Sequence, residues 1–146
     1  MTKNLLSTDR SLPIALLRAR ERVMGPIRAM LADAGVTEQQ WRVLRVLQES
    51  GPNDPTRISQ SACLLLPSLT RILQKLEEKE MIRRRPDPVD KRKQIVEITG
   101  AGEALIAANF DTSLALMQEV RTRMGEDRFE LLLDLLNDLD GPDKAG

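Results

Sequence analysis

The sequence predicts a mainly α-helical fold that carries one small β-hairpin. With 146 residues, of which 41% are hydrophobic, the chain can bury one core of useful size. Aromatic residues make up only 2% of the sequence, so the core must consist largely of aliphatic side chains, which favours helices. Residues 82–85 and 95–98 are the exception, because they are short β-prone runs separated by turn formers.

The first two predicted helices are marked by their ends. Apolar residues recur at helical spacing over residues 11–34, and Gly35 fits the position after a helix C-terminus. Thr37 and Gln40 have the spacing of a capping box, in which two side chains satisfy backbone N–H groups at a helix N-terminus. The second helix is therefore expected to begin after Thr37 and to stop at Gly51.

A helix-turn-helix is predicted next. Thr56 opens a short helix from Arg57 to Cys63, and three leucines, residues 64–66, separate it from a longer helix that Pro67 begins. The apolar residues of the longer helix fall on one stripe: Leu69, Ile72, Leu73 and Leu76. Its opposite face carries side-chain types that reach base edges and phosphates: Ser68, Thr70, Arg71, Gln74 and Lys75. A polar helix face of this kind is often simply exposed to solvent. The segment that follows decides whether this face is a solvated surface or a DNA-binding surface.

That segment is a basic hairpin. Residues 82–94 contain six cations and two anions, a net charge of +4, and Pro86 and Pro88 belong to a loop or an edge because they cannot donate to a ladder. A basic two-stranded ribbon directly after a polar-faced helix is typical of a winged helix-turn-helix. In that arrangement the helix enters the major groove of DNA, while the wing reaches a neighbouring minor groove. The pattern therefore predicts binding to double-stranded DNA.

Two further helices are predicted after the wing. Thr99 caps the first, Gly125 breaks the pattern, and residues 127–139 form a last helix that is apolar on more than one face. A chain of this size can hardly bury so wide an apolar surface on one side only. We therefore expect an identical subunit to cover it, giving a homodimer.

The expected organisation is a single domain over residues 1–146. Residues 11–34 and 102–140 are predicted to supply the dimerisation helices, and residues 37–99 the winged helix-turn-helix. A two-fold dimer would present two recognition helices roughly 34–36 Å apart and would read a pseudo-palindromic operator.

Charge is segregated along the chain, although the formal net charge is zero. Residues 56–95 carry ten cations and five anions, a net +5, whereas residues 103–143 carry three cations and ten anions, a net −7. This segregation indicates one basic surface for a polyanion. No apolar run is long enough to span a bilayer, no secretion signal is recognisable, and a single cysteine excludes an intramolecular disulfide framework. These features predict a cytoplasmic protein with no membrane partner.

Three short strings of the wing region stand in a recognisable order. Asp90-Lys91-Arg92 is followed by Ile98-Thr99 and then by Gly102. Together with the order of the helices, these strings make the span from about Ser11 to Asp140 resemble the MarR family of bacterial transcriptional regulators, whose wing carries a D-x-R…(L/I)-T-x-x-G pattern.

The resemblance implies roles for individual residues. Asp90 would hydrogen-bond Arg92 so that Arg92 projects into the minor groove, where the negative potential is strong. The residues expected to bind DNA are Thr56, Pro67, Ser68, Thr70, Arg71, Gln74, Lys75, Asp90, Arg92 and Lys93. Arg71 stands where a small residue is expected in the most similar subgroup, which leaves the operator sequence open.

That subgroup is the repressors of homoprotocatechuate-degradation operons, which residues 37–45 and 66–70 resemble most. The similarity implies a repressor that a small aromatic acid, such as homoprotocatechuate or 4-hydroxyphenylacetate, releases from DNA. The expected effector-binding residues are Arg20, Trp41 and Arg45, an aromatic wall with cations for a carboxylate. The alternatives are a tryptophan packed in the core and two solvated arginines.

The composition also bears on other classes of function. The sequence has no histidine and one cysteine, so we expect neither an enzyme nor a metal or cofactor site. A thiol-based redox-responsive regulator is one alternative, although we expect Cys63 to lie on the inner face of the short helix. A winged helix-turn-helix used for protein–protein contact is the other, and it would lack the steep salt dependence of DNA binding.

Overall fold

The structure is a computed structural model that describes residues 7–141. Within this range the chain forms one short 3-10 helix, six α-helices and one two-stranded antiparallel sheet. After the 3-10 helix Thr8–Arg10, the elements are α1 Leu12–Ala34, α2 Glu38–Ser50, α3 Pro55–Ala62, α4 Leu66–Glu78, β1 Ile82–Pro86, β2 Gln94–Ile98, α5 Gly100–Met124 and α6 Glu126–Asp140. The predicted mainly α fold with a β-hairpin is confirmed. Over these same residues no helix is long and apolar enough to cross a membrane.

The elements fall into two compact units. We call residues 24–111 the winged unit, because they include α2, α3, α4 and both strands. Residues 7–23 and 112–141 make up the described part of the other, which we call the terminal unit. The boundaries fall inside α1 and α5, so each of these long helices contributes residues to both units.

The core of the winged unit is aliphatic, as the shortage of aromatic residues predicted. Its nearly inaccessible side chains come from every helix of the unit and from β2: Leu31, Val43, Leu44, Leu47, Ile58, Leu69, Leu73, Leu76, Val96 and Ile106. Full burial of one such side chain stabilises the fold by about 1.5–3 kcal/mol. The predicted stripe on α4 is confirmed, with Leu69, Leu73 and Leu76 buried and Ile72 half-buried.

The predicted ends of α1 and α2 are confirmed. Gly35 follows α1 with φ 77°, a left-handed conformation that suits glycine, and Val36 N–H donates to Leu31 O at 3.1 Å. Thr37 Oγ1 accepts a hydrogen bond from Gln40 N–H, and Gln40 Oε1 accepts one from Thr37 N–H, both at 3.1 Å. This reciprocal pair is the capping box that fixes the start of α2.

The start of α3 differs from the prediction. Thr56 does not open this helix, because the helix begins at Pro55 and Asp54 occupies the N-cap. Asp54 Oδ1 accepts a hydrogen bond from Arg57 N–H at 3.0 Å, and a proline at the first helical position loses no backbone hydrogen bond. Thr56 is therefore an exposed residue of the first turn.

The end of α3 corrects a second prediction. Cys63 is exposed rather than buried, because it lies beyond the last helical residue and its backbone is left-handed, with φ 56° and ψ 51°. The helical periodicity that placed this thiol on the inner face does not extend to it. The turn from Cys63 to Leu65 then leads directly into α4.

The wing is a regular antiparallel ribbon. Ile82 pairs with Ile98 at its base, and Pro86 pairs with Gln94 near its tip. Asn53 forms a further bridge to Val96, with Asn53 N–H donating at 3.0 Å and Val96 N–H donating at 2.8 Å. The loop before α3 therefore anchors the wing to the helix-turn-helix.

Thr99 and Gly102 join the wing to α5. Thr99 Oγ1 accepts a hydrogen bond from Gly102 N–H at 3.3 Å and donates one to Glu80 O at 2.7 Å, which confirms the predicted cap. A Cβ atom on Gly102 would lie 2.5 Å from Met81 O and 2.7 Å from Ile98 Cγ1. The glycine of the T-x-x-G string is thus required because the helix passes so close to the wing.

The terminal unit contains the last helix that the sequence predicted. Gly125, with φ 91°, separates α5 from α6, and Phe129 is the buried residue of α6. Arg121 binds the carboxylates of Glu126 and Glu130 and lies 4.3 Å from the ring centroid of Phe129. The leucines of α6 remain exposed by 37–60%: Leu131, Leu132, Leu133, Leu135, Leu136 and Leu139.

Candidate nucleic-acid interface

The outer face of α4, which we call the recognition helix, is polar and accessible. Its predicted DNA-binding residues are exposed except for a half-buried serine: Pro67, Ser68, Thr70, Arg71, Gln74 and Lys75. Thr70 Oγ1 donates to Leu66 O at 3.2 Å, and Lys75 Nζ lies 3.7 Å from Glu78. Because the opposite face is packed into the core, the polar side is the accessible side of this helix between residues 67 and 75.

The tip of the wing is held by one carboxylate. Asp87 Oδ1 accepts backbone hydrogen bonds from Val89 at 2.8 Å and from Asp90 at 3.3 Å, and Asp87 N–H donates to Lys93 O at 3.0 Å. The two backbone N–H groups, Val89 first, lower the pKa of Asp87 from its ordinary value. The charged carboxylate therefore fixes the loop that carries the basic residues.

Asp90 and Arg92 form a pair at this tip. Asp90 Oδ1 accepts from Arg92 N–H at 3.1 Å and lies 3.4 Å from Arg92 Nε, while the Arg92 side chain is 92% exposed. The contact restrains the near end of the side chain and leaves its outer nitrogens to solvent. The result is a partly ordered guanidinium that projects from the wing.

The wing also encloses a small concave site of about 270 Å³. Five of its seven lining residues are cations: Arg84, Arg85, Lys91, Arg92 and Lys93. Lys93, one of the predicted DNA-binding residues, thus lies beside Arg92. Such a concentration of positive charge suits a phosphate group or a narrow, strongly negative groove.

The role of Arg84 was not predicted from the sequence, in which it is one of the six cations of the hairpin. Arg84 donates from Nη2 and Nε to Glu77 Oε1 on the recognition helix, at 2.8 and 3.3 Å. This hydrogen bond, more than the charge of Arg84, lowers the pKa of Glu77. Strand alternation could have revealed the pairing, because Arg84 follows the buried Ile82 by two residues and so shares its face.

The other wing arginines are also paired. Glu97 of β2 lies 3.7 Å from Arg83 and 3.8 Å from Arg85. The positive field of the wing is therefore weaker than the count over residues 82–94 suggested, because Glu77 and Glu97 lie outside that window. Among the described wing arginines that form ion pairs, Arg92 has the most exposed side chain.

A lysine fixes the same, C-terminal end of the recognition helix. Lys79 Nζ donates to Gly35 O at 2.7 Å and to Gln40 Oε1 at 3.0 Å. Gln40 thereby completes the capping box of α2 and receives the lysine from α4. Nothing in the sequence pattern indicated these two contacts, because Lys79 follows Gln40 by 39 positions and Gly35 by 44 positions.

The three predicted effector-binding residues have different surroundings. Arg20 is an exposed residue of α1 in the terminal unit. In the winged unit, Trp41 is 9% exposed and packs with the core, and the half-buried Arg45 donates a hydrogen bond to Gln48. A separate concave site of about 420 Å³ lies against the recognition helix, with Arg71 and Lys75 in its lining.

Comparison with known proteins agrees with this architecture. The model of the MarR family matches residues 36–93, from the end of α1 to the wing. The chain is 37% identical over 136 residues to the HTH-type transcriptional regulator FarR of Neisseria gonorrhoeae, an alignment that covers 91% of each protein. It is 42% identical over 95 residues to the homoprotocatechuate degradative operon repressor of Escherichia coli, covering 65% of this chain and 64% of that protein.

A solved structure extends the similarity to the whole fold. The crystal structure of NadR in complex with 4-hydroxyphenylacetate superposes with a TM-score of 0.80 at 34% sequence identity, covering 90% of this chain and 94% of NadR. The helices, the wing and these similarities lead to one conclusion. This chain belongs to the MarR family and is a DNA-binding transcriptional regulator, not an enzyme.

Proposed function

We propose that the protein is a homodimeric repressor of an operon for aromatic catabolism, and that a small aromatic carboxylic acid releases it from a pseudo-palindromic operator. The observation that carries the DNA-binding part is the exposed Arg92 guanidinium that Asp90 restrains at the tip of a basic wing. The polar face of the recognition helix lies in the same unit. The proposed site of action is the cytoplasm, where operator DNA is found.

The recognition helix supplies the major-groove contacts in this proposal. Arg71 and Gln74 suit guanine and adenine edges, and Pro67, Ser68 and Thr70 lie toward the N-terminal end, from which such helices usually reach the bases. The remaining polar contacts are assigned to phosphates: Thr56, Lys75 and Lys93. Arg92, held by Asp90, enters the minor groove.

Dimerisation is proposed for residues 11–34 and 102–140. The support is the exposed leucines of α6, which together form an apolar surface larger than isolated surface leucines would give. An isologous two-fold interface would cover this surface and would place two recognition helices on successive turns of DNA, roughly 34–36 Å apart.

The effector is proposed from two similarities and one set of residues. The name of the Escherichia coli relative refers to homoprotocatechuate, and the NadR structure contains 4-hydroxyphenylacetate. In the winged unit, Arg45 would meet the carboxylate and Trp41 would wall the ring. Arg20, in the terminal unit, is a separate candidate for binding the carboxylate. The acid would bind more tightly to a dimer whose recognition helices do not match the operator than to one whose helices do. The difference between these two binding free energies is the amount by which the acid weakens DNA binding.

The decisive experiment measures fluorescence anisotropy of duplex DNA from upstream of the protein's own coding region. We expect nanomolar affinity that falls steeply as salt rises, because phosphate contacts release counterions. Arg92→Ala should lower the affinity by about tenfold or more and should reduce the salt slope by about one. Arg10→Ala removes an equal charge from an exposed position outside the proposed DNA-binding and dimerisation segments and is the matched control.

Two further arms test the finer parts of the proposal. Addition of homoprotocatechuate or 4-hydroxyphenylacetate should release the DNA, and Arg45→Gln should weaken this response without weakening DNA binding itself. Binding without release by either acid would reject the effector assignment and keep the repressor. Absence of salt-dependent binding to this DNA and to neighbouring promoters would leave the protein–protein alternative.

A redox-responsive regulator is the second candidate, because the exposed Cys63 meets the access requirement of a sensor thiol. Its test is DNA binding before and after treatment with hydrogen peroxide, with Cys63→Ser beside the wild type. A response that only the wild type shows would support this candidate, and equal behaviour of both proteins would exclude it.

A further inference from the structure

Two leucines at the start of the recognition helix are unusually exposed. Leu65 occupies the N-cap of α4 and is 77% exposed, and Leu66, the first helical residue, is 46% exposed. The exposed Pro67 follows them, so three consecutive exposed residues are apolar. We call residues 65–67 the apolar tip.

Folding of the winged unit does not account for the apolar tip. An N-cap favours Ser, Thr, Asp or Asn, whose side chains accept a hydrogen bond from the first turn, and Leu65 makes no such bond. A leucine that is 77% exposed gains little from burial. The position therefore carries a residue that serves neither the cap nor the core of this unit.

The location of the apolar tip indicates its partner. Residues at the N-terminal end of a recognition helix contact base edges in the major groove. The C5-methyl group of thymine is the apolar group exposed on base edges in that groove. The polar side chains Ser68 and Arg71 follow within the next turns, so the tip lies at the end of the helix that carries the proposed DNA-binding face.

We infer that Leu65 and Leu66 read thymine through its C5-methyl group and so help to determine the operator sequence. This inference rests on the proposed DNA-binding function and deepens it. It commits the tip to DNA rather than to a second protein chain, because its neighbours Ser68, Thr70 and Arg71 are side-chain types suited to bases and phosphates. Apolar contact with a methyl group gives a preference that hydrogen bonds from those neighbours do not supply.

The test compares two duplexes that differ only in methyl groups. Wild-type protein first selects its best sites from a random duplex library. The selected pool is then amplified with either thymidine triphosphate or deoxyuridine triphosphate. Uracil pairs as thymine does but lacks the methyl group, so the two duplexes differ only in that group. We expect the thymine duplex to bind more tightly by about fourfold for each methyl group that the tip covers.

Three proteins are measured on both duplexes. The double variant Leu65→Ala, Leu66→Ala should still bind DNA with a steep salt dependence, but its preference for thymine over uracil should fall toward one. Val89→Ala is the matched control, because Val89 is a 93% exposed apolar residue of the wing, and the minor groove carries no thymine methyl group. Its thymine preference should equal that of the wild type.

The outcomes separate this inference from the proposed function. Salt-dependent binding with the same thymine preference in the wild type and in the double variant would overturn the inference and keep the regulator, since DNA stiffness would then explain the preference. Selected sites without recurrent thymine would also overturn it. Failure of the wild type to select any duplex would overturn both.

Discussion

The Arg84 guanidinium lies 2.8 Å from Glu77 Oε1 and thereby ties the first strand of the wing to the last turn of the recognition helix. Its side chain is 23% exposed, against 67% for Arg83 and 46% for Arg85. Of the three consecutive arginines, Arg84 is thus the one that faces the protein. Its pairing links the wing directly to the helix.

This relationship predicts an unusual effect of removing a negative charge. Glu77→Gln should weaken operator binding by about two- to tenfold, although loss of an anion near DNA normally strengthens binding. Arg84→Gln should have a similar effect, and the double variant should be no worse than either single one. Titration of labelled operator DNA at fixed salt measures all three.

Glu78→Gln is the control for this prediction. It removes the same charge from the neighbouring position of the helix, where the carboxylate lies 3.7 Å from Lys75. We expect it to leave binding unchanged or to strengthen it slightly. Equal effects of Glu77→Gln and Glu78→Gln would show that the wing does not depend on Arg84.

The same pair predicts a change in acid stability. The hydrogen bond from Arg84 lowers the pKa of Glu77 below its ordinary value of 4.5, so the folded state favours the charged carboxylate. The stabilisation is therefore present above that value and is lost as pH falls through the folded-state pKa. Urea unfolding between pH 3 and pH 7 should show a shallower acid loss of unfolding free energy for Arg84→Gln than for the wild type. Parallel curves would contradict the prediction.

Two glycines at the start of α5 predict opposite effects on stability. Gly102→Ala places a Cβ atom 2.5 Å from Met81 O and 2.7 Å from Ile98 Cγ1, so it should lower the unfolding free energy by about 1–3 kcal/mol. Gly100→Ala meets no atom within 4 Å and should be neutral or stabilising by up to about 1 kcal/mol. Urea unfolding of both variants compares them directly, and equal destabilisation would refute the close approach.

Replacing the N-cap leucine, Leu65, should stabilise the fold and weaken the recognition of thymine. Leu65→Ser supplies the side-chain cap that α4 lacks and should raise the unfolding free energy by about 0.5–2 kcal/mol. The same variant should lose part of the preference for thymine over uracil. A lower unfolding free energy for Leu65→Ser would instead mean that Leu65 supports the fold.

Much of the local structure was predictable from the sequence. Apolar spacing located the buried face of the recognition helix, because a helix repeats every 3.6 residues wherever it packs. The capping box of Thr37 and Gln40 and the glycine after α1 could be recognised because they depend on residues close in sequence. The basic hairpin was recognisable for the same reason. The Asp90 hydrogen bond to Arg92 spans only two residues and was implied by the family resemblance.

Tertiary structure decided what depends on distant contacts. Cys63 was expected to be buried, but the chain leaves the helix at this residue and exposes the thiol. Arg84 was counted with the free charge of the wing, but the fold brings it to Glu77, and Lys79 reaches back to Gln40 across the winged unit. Sequence periodicity fixes which side of an element is apolar, whereas the pairing of charged groups depends on how the elements pack. Only the folded chain therefore distinguishes the cations that hold the wing in place from Arg92, which the wing presents to solvent.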